Sequence, residues 1–131
     1  MMNAQEFEKA VRELRQSQRR FFNCKKDDPD REKAKLLMRE KEKEVLNVVE
    51  TVMAIRPMGK RAESEREDFF LAVDEMMKKQ KAWMKQGGGA WYMNPARDAE
   101  KRVDEFLASF DEQRRRQKVY EEQKRQMSLF G

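Results

Sequence analysis

The chain reads as all-α: two tandem antiparallel helical hairpins in a four-helix arrangement, an internal duplication, followed by a protruding C-terminal helix and a flexible tail. Three observations predict this. Gly and Pro are scarce among 131 residues rich in Glu, Lys, Arg, Gln, Met and Ala, which lose little side-chain freedom in a helix. Apolar residues recur at helical spacings in several separate stretches. The pattern of the first stretch then returns in the second half of the chain at one constant offset. With 42% charged and 38% hydrophobic residues, the chain can bury only a modest core, which favours thin amphipathic helices over a thick globule.

Taken in order, the elements follow from local pattern. Phe7, Val11, Leu14, Gln18 and Phe21 stand at spacings of four and three and form one stripe of a helix over residues 4–22. Ala10 and Phe22 widen that stripe, and Glu8, Arg12, Arg15, Arg19 and Arg20 are expected on its wet side. Asp28-Pro29 reads as an N-cap with proline at the first helical position, where a missing N–H costs nothing. The second helix then runs to about Met53 with Leu37, Met38, Val45, Val48, Val49 and Val52 on its apolar side. Its densely charged first half is expected to be poorly buried. Residues 1–53 thus form the first hairpin, and 54–63, with Pro57 and Gly59, a linker.

Ser64-Glu65-Arg66-Glu67 has the form of a capping box and opens the second hairpin, residues 64–112. Here Phe69, Ala72, Val73, Met76, Gln80, Trp83 and Met84 repeat Phe7, Ala10, Val11, Leu14, Gln18, Phe21 and Phe22, while Glu75 repeats Glu13. A longer turn from Gln86 through Met93, with Gly87-Gly88-Gly89 as a flexible connection, ends in Asn94-Pro95, again a cap and a proline. Val103, Phe106, Leu107 and Phe110 match Val45, Val48, Val49 and Val52 once a gap is allowed. Two readings of Gln18 and Gln80 stand side by side: they pair across a pseudo-twofold axis and fix register, or each lies at a stripe edge and reaches water. Residues 113–125 are nearly all polar, a helical extension with nothing to pack, and 126–131 form a tail peptide.

Composition also excludes much chemistry. Without histidine, the usual general base and the usual partner of a nucleophilic cysteine or serine are missing. One cysteine and no histidine leave little from which to build a transition-metal site. The carboxylates interleave with Lys and Arg at i, i+3 and i, i+4, where solvated ion pairing is their ordinary use. The expectation is a non-enzymatic protein with no catalytic residues, no metal and no cofactor. Cys24 alone rules out an internal disulfide and suits a reducing compartment. No apolar run reaches the length of a membrane span, and residues 1–9 lack a signal-peptide core, so a cytoplasmic location without membrane contact is expected.

The tail stands apart from this polar background. Gln126-Met127-Ser128-Leu129-Phe130 resembles the pentapeptide, Gln-Leu-Ser/Asp-Leu-Phe in consensus, with which bacterial replication and repair proteins bind the β sliding clamp of DNA polymerase III. Met127 in place of Leu is the one departure. The resemblance implies that Gln126 reaches clamp backbone and ordered water, that Met127 covers a shallow apolar site, and that Leu129 and Phe130 fill a deep pocket, with Ser128 a solvent-tolerant spacer. A few buried anchors are what a short segment needs to offset its ordering entropy. The competing structural use is that Leu129 and Phe130 fold back and seal the bundle end. The body also resembles, in texture but without a defining motif, small helical proteins of prophages and other mobile elements.

The function expected from these residues is clamp binding, as a replication or repair accessory or as a clamp inhibitor. Arg114, Arg115, Arg116, Lys118, Lys124 and Arg125 adjoin the tail and would supply weak, salt-dependent contact with DNA, although Glu121 and Glu122 interleave with them. The alternatives are a mobile-element protein that inhibits a host partner such as a defence nuclease through its helical body, a weak non-specific nucleic-acid binder, and a structural homo-oligomer.

Overall fold

The computed structural model describes residues 2–87 and 90–130, apart from the side chains of residues 90–92 and 129–130. Among the described residues there are four α-helices: α1 (Ala4–Asn23), α2 (Arg31–Ile55), α3 (Glu65–Lys85) and α4 (Ala90–Phe130). Helix ends follow side-chain chemistry. Asn3 Oδ1 accepts from the Glu6 N–H at 2.8 Å and caps α1, and Ser64 Oγ accepts from the Glu67 N–H at 3.2 Å and caps α3. Arg56, the residue before Pro57, is pushed to extended backbone (φ −76°, ψ 132°), and α2 stops there. At the end of α3 Gly87 takes φ 72°, and its N–H closes onto the Met84 carbonyl.

Both expected hairpins form: α1 packs along α2, and α3 along α4. They close into one bundle, because a single apolar cluster draws on all four helices: Phe7, Val11 and Leu14 from α1, Val45 and Val49 from α2, Phe69, Val73 and Met76 from α3, and Val103, Leu107 and Phe110 from α4. The repeat is visible in space. Phe7 meets Phe69 with ring centroids 5.8 Å apart, and Phe69 meets Phe110 edge-on at 5.2 Å. In the second helix of each copy two matched pairs have matched burial, Val45 with Val103 and Val49 with Leu107, whereas Phe110 is buried and its counterpart Val52 only partly so. Glu13–Lys41 in one hairpin and Glu75–Arg102 in the other bridge neighbouring helices, at 2.7 and 3.9 Å. Each of Glu13 and Lys41 holds the other's charged form, by a hydrogen bond that outweighs desolvation, so the Glu13 pKa is lowered and that of Lys41 raised.

One layer of this core is polar. Gln18 Nε2 donates to Gln80 Oε1 at 3.0 Å, and Gln80 Nε2 donates back to Gln18 Oε1 at 3.1 Å. The symmetric pairing is therefore the arrangement adopted. Gln80 Nε2 also donates to Glu100 at 2.7 Å, and Arg15 forks onto Asp104 at 2.9 and 3.1 Å. Burial would push the Asp104 carboxyl up, but hydrogen bonds and charge from Arg15 and Arg19 win and lower it. Glu42, in the same layer, goes the other way: burial raises its pKa more than Gln18 and Arg39 lower it. Beyond the layer Ala34, Met38 and Ala96 are buried apart from the main cluster.

Four local expectations are corrected. The cap of α2 lies at Asp30, two residues later than expected, because Asp28 Oδ1 accepts the Asp30 N–H at 2.8 Å and closes a turn around Pro29 first. Asn94-Pro95 does not start α4, which begins at Ala90 and carries Pro95 inside it. Proline there withdraws one donor with little helix before it to kink, so the break is small. Leu37 is half exposed rather than on the buried side, whereas Ala34 and Met38 bury the first half of α2. Glu8 and Arg15, expected in water, are 3% and 7% exposed. Their burial is tolerable only because partners arrive from other helices.

Candidate functional site

The site suggested by sequence is the distal part of α4, and its base is built around Glu8. This carboxylate accepts from Arg12 at 3.1 Å within α1, from Arg66 of α3 at 2.8 Å, and from Arg114 of α4 at 2.5 Å. Burial alone would raise its pKa; hydrogen bonds from Arg114, Arg66 and Arg12 overcome that and hold it at about 2. Arg66 also lies over the Phe110 ring, 4.0 Å from its centroid, and Arg12 reaches Asp111 at 2.9 Å. Gln113 Nε2 donates to Glu65 at 3.1 Å. The last turn of α4 that touches the body is thus fixed by charge and hydrogen bonds on the rim of the apolar core.

Past this lock the helix continues alone. Phe110 is the last buried side chain among the described residues of α4, and residues 113–128 are all exposed. Their side-chain hydrogen bonds beyond Arg114 stay within the helix, such as Gln117 to Glu121 and Ser128 Oγ to the Arg125 carbonyl. From Arg114 to Phe130 a helix rises about 24 Å. The polar extension over 113–125 is therefore a helical stalk, and the backbone stays helical through Gln126, Met127 and Ser128 to Phe130, with no break at the expected start of the tail peptide. Met127 is 75% exposed. The side chains of Leu129 and Phe130 lie outside the described residues, as do those of Trp91 and Tyr92.

The six basic residues near the tail separate into two groups. Arg114 is tied to Glu8 and Asp111, and Arg115 and Arg116 share the one carboxylate of Glu112, so all three are paired within the protein although Arg115 and Arg116 stay exposed. Lys118, Lys124 and Arg125 make no ion pair among the described residues and remain open to an outside anion. Sequence reasoning missed Glu8 and Arg66 because each is one charge among many on a helix surface. The only local signal was the placing of Glu8 beside Phe7, at the edge of the apolar stripe.

Among the described residues no helix is long and apolar enough to cross a membrane. Comparison of the chain with protein-family models, with curated proteins and with solved structures returned no match.

Proposed function

We propose that this protein is a non-enzymatic adaptor that carries a bacterial sliding clamp-binding peptide, Gln126 to Phe130, on a helical stalk. The observation that supports this most is the exposure of α4 after Phe110: residues 113–128 carry the peptide away from the bundle and leave its surroundings clear for a partner. In this reading the terminal turn unwinds into the clamp groove. That costs little, because the last four carbonyls of a helix lack intrahelical partners and no tertiary contact of Gln126, Met127 or Ser128 has to be broken. Lys118, Lys124 and Arg125 flank the peptide and suit weak contact with DNA passing through a clamp.

Isothermal titration of the whole protein against purified bacterial sliding clamp tests this. Binding at micromolar affinity or tighter, abolished in the Leu129→Ala, Phe130→Ala double variant with its Tm unchanged, is the expected result. A folded protein that does not bind the clamp would remove this function and turn attention to the bundle faces.

A further inference from the structure

At the end of the bundle from which the stalk leaves, a cavity of about 450 Å³ opens between the start of α1, the end of α2 and the start of α3. Phe7, Val48, Val52, Ile55, Phe69 and Phe70 line it, and the tilted rings of Phe7 and Phe70 meet in its wall with centroids 5.2 Å apart. Its size is within the range of small-molecule sites, and its apolar wall is of the kind such sites use. Cations ring it: Arg56, Lys60 and Arg66, against the single carboxylate of Glu67.

The cations at this rim are not equivalent. Arg66 is spent on Glu8 and on the Phe110 ring. Arg56 has a side chain only 16% exposed, yet its nearest carboxylate, Glu67, is 3.9 Å away. One nitrogen, Nη2, donates to the Lys60 carbonyl at 2.8 Å, and the other two donate to no acceptor among the described residues. Lys60 makes no ion pair among the described residues either. The contrast with the rest of the molecule is sharp, since Arg12, Arg15, Arg66 and Arg114 each hold a carboxylate at between 2.5 and 3.1 Å. The two remaining nitrogens of Arg56 are not sealed away from water, so they are open to an incoming anion beside the apolar wall.

We infer that this cavity is a binding site for a small amphipathic carboxylate, an apolar body ending in a carboxyl group. The body lies against Phe7, Val52 and Phe69, and the carboxylate takes the free nitrogens of Arg56 in the forked geometry that guanidinium favours, with Lys60 beside it. The site is independent of the clamp peptide and of the proposal above.

The test uses the full-length protein and three ten-carbon probes: decanoate, decanol and decyltrimethylammonium. Methyl resonances of Val48, Val52 and Ile55 locate binding and give Kd. Decanoate is expected to bind at least ten-fold more tightly than decanol and to shift those methyls, with decyltrimethylammonium weaker than both. Arg56→Gln with Lys60→Gln is expected to bring decanoate down to the affinity of decanol, and Ile55→Asp, at the exposed mouth, to weaken decanoate more than decanol. Decanoate bound no more tightly than decanol, shifts confined to other methyls, or an unchanged affinity in the Arg56, Lys60 variant would each overturn the proposal. So would occupation of the cavity by an apolar peptide without a carboxylate while decanoate does not bind.

Discussion

Glu8 shows how one residue can join three helices. Its carboxylate is almost fully enclosed, whereas the arginines that hold it are 30% (Arg12), 40% (Arg66) and 50% (Arg114) exposed in their side chains. A depression from 4.5 to about 2 would correspond to roughly 3 kcal/mol, and solvent screening at the half-exposed arginines reduces this to about 2 kcal/mol. The sign follows from linkage: a carboxylate with a lowered folded pKa stabilises above its unfolded pKa and loses that contribution as pH falls through the folded one. Glu8→Gln is therefore expected to cost about 2 kcal/mol at pH 7. The difference from the native protein should shrink between about pH 5 and pH 2, measured by urea denaturation across that range. A constant difference down to pH 2 would show that Glu8 acts by packing and not by charge.

At the scale of elements, α4 combines a packed half with a solvated half. Val103, Leu107 and Phe110 anchor the first, and Glu8 with Glu65 pins its end through Arg114 and Gln113. The second buries none of the described side chains from 113 to 128. Removing residues 117–131 should change Tm by no more than about 2 °C, because surface changes away from special contacts stay within about 0.5 kcal/mol. The same truncation should abolish clamp binding. Backbone amides at 117–126 are expected to exchange with solvent orders of magnitude faster than those at 103–110. A large loss of Tm would mean that the stalk is packed on the body.

For the molecule as a whole, the reciprocal amide pair of Gln18 and Gln80 is the most informative contact, because it joins corresponding positions of the two hairpins. Replacing Gln18 leaves Gln80 Oε1 without its donor, and replacing Gln80 leaves Gln18 Nε2 without its acceptor, while Glu100 and Arg15 hold the other ends. Gln18→Leu or Gln80→Leu alone is expected to cost about 1–3 kcal/mol, and the double variant clearly less than the sum. A double-mutant cycle with additive losses would show that the pair does not act as a unit. Asp104 and Glu42 surround this layer with opposite pKa shifts, so its electrostatics depend on the exact neighbours that the bundle brings to each carboxylate.

The helices, the centres of their apolar faces and their pairing into two hairpins were readable from residues alone, since a 3.6-residue period is a local property and Phe7 to Leu14 or Phe69 to Met76 declares its buried side within two turns, although Phe22 and Met84, expected on the same stripes, are exposed. The matching slots of Gln18 and Gln80 were readable for the same reason, though not whether they would pair. The Asp28 and Asn94 caps were misplaced because a cap competes with neighbouring turns over energies of about 1 kcal/mol. Within the candidate site, the polar run of 113–125 and the clamp-like peptide were visible in sequence, whereas the lock at its base was not. What only the tertiary structure decided is the fate of charges. Glu8 meets Arg66 and Arg114, and Arg15 meets Asp104, across separations of tens of residues that no local pattern encodes. Whether a charged side chain is solvated, locked or left facing a cavity, as Arg56 is, depends on which other helix stands opposite, and that is set only when the bundle closes.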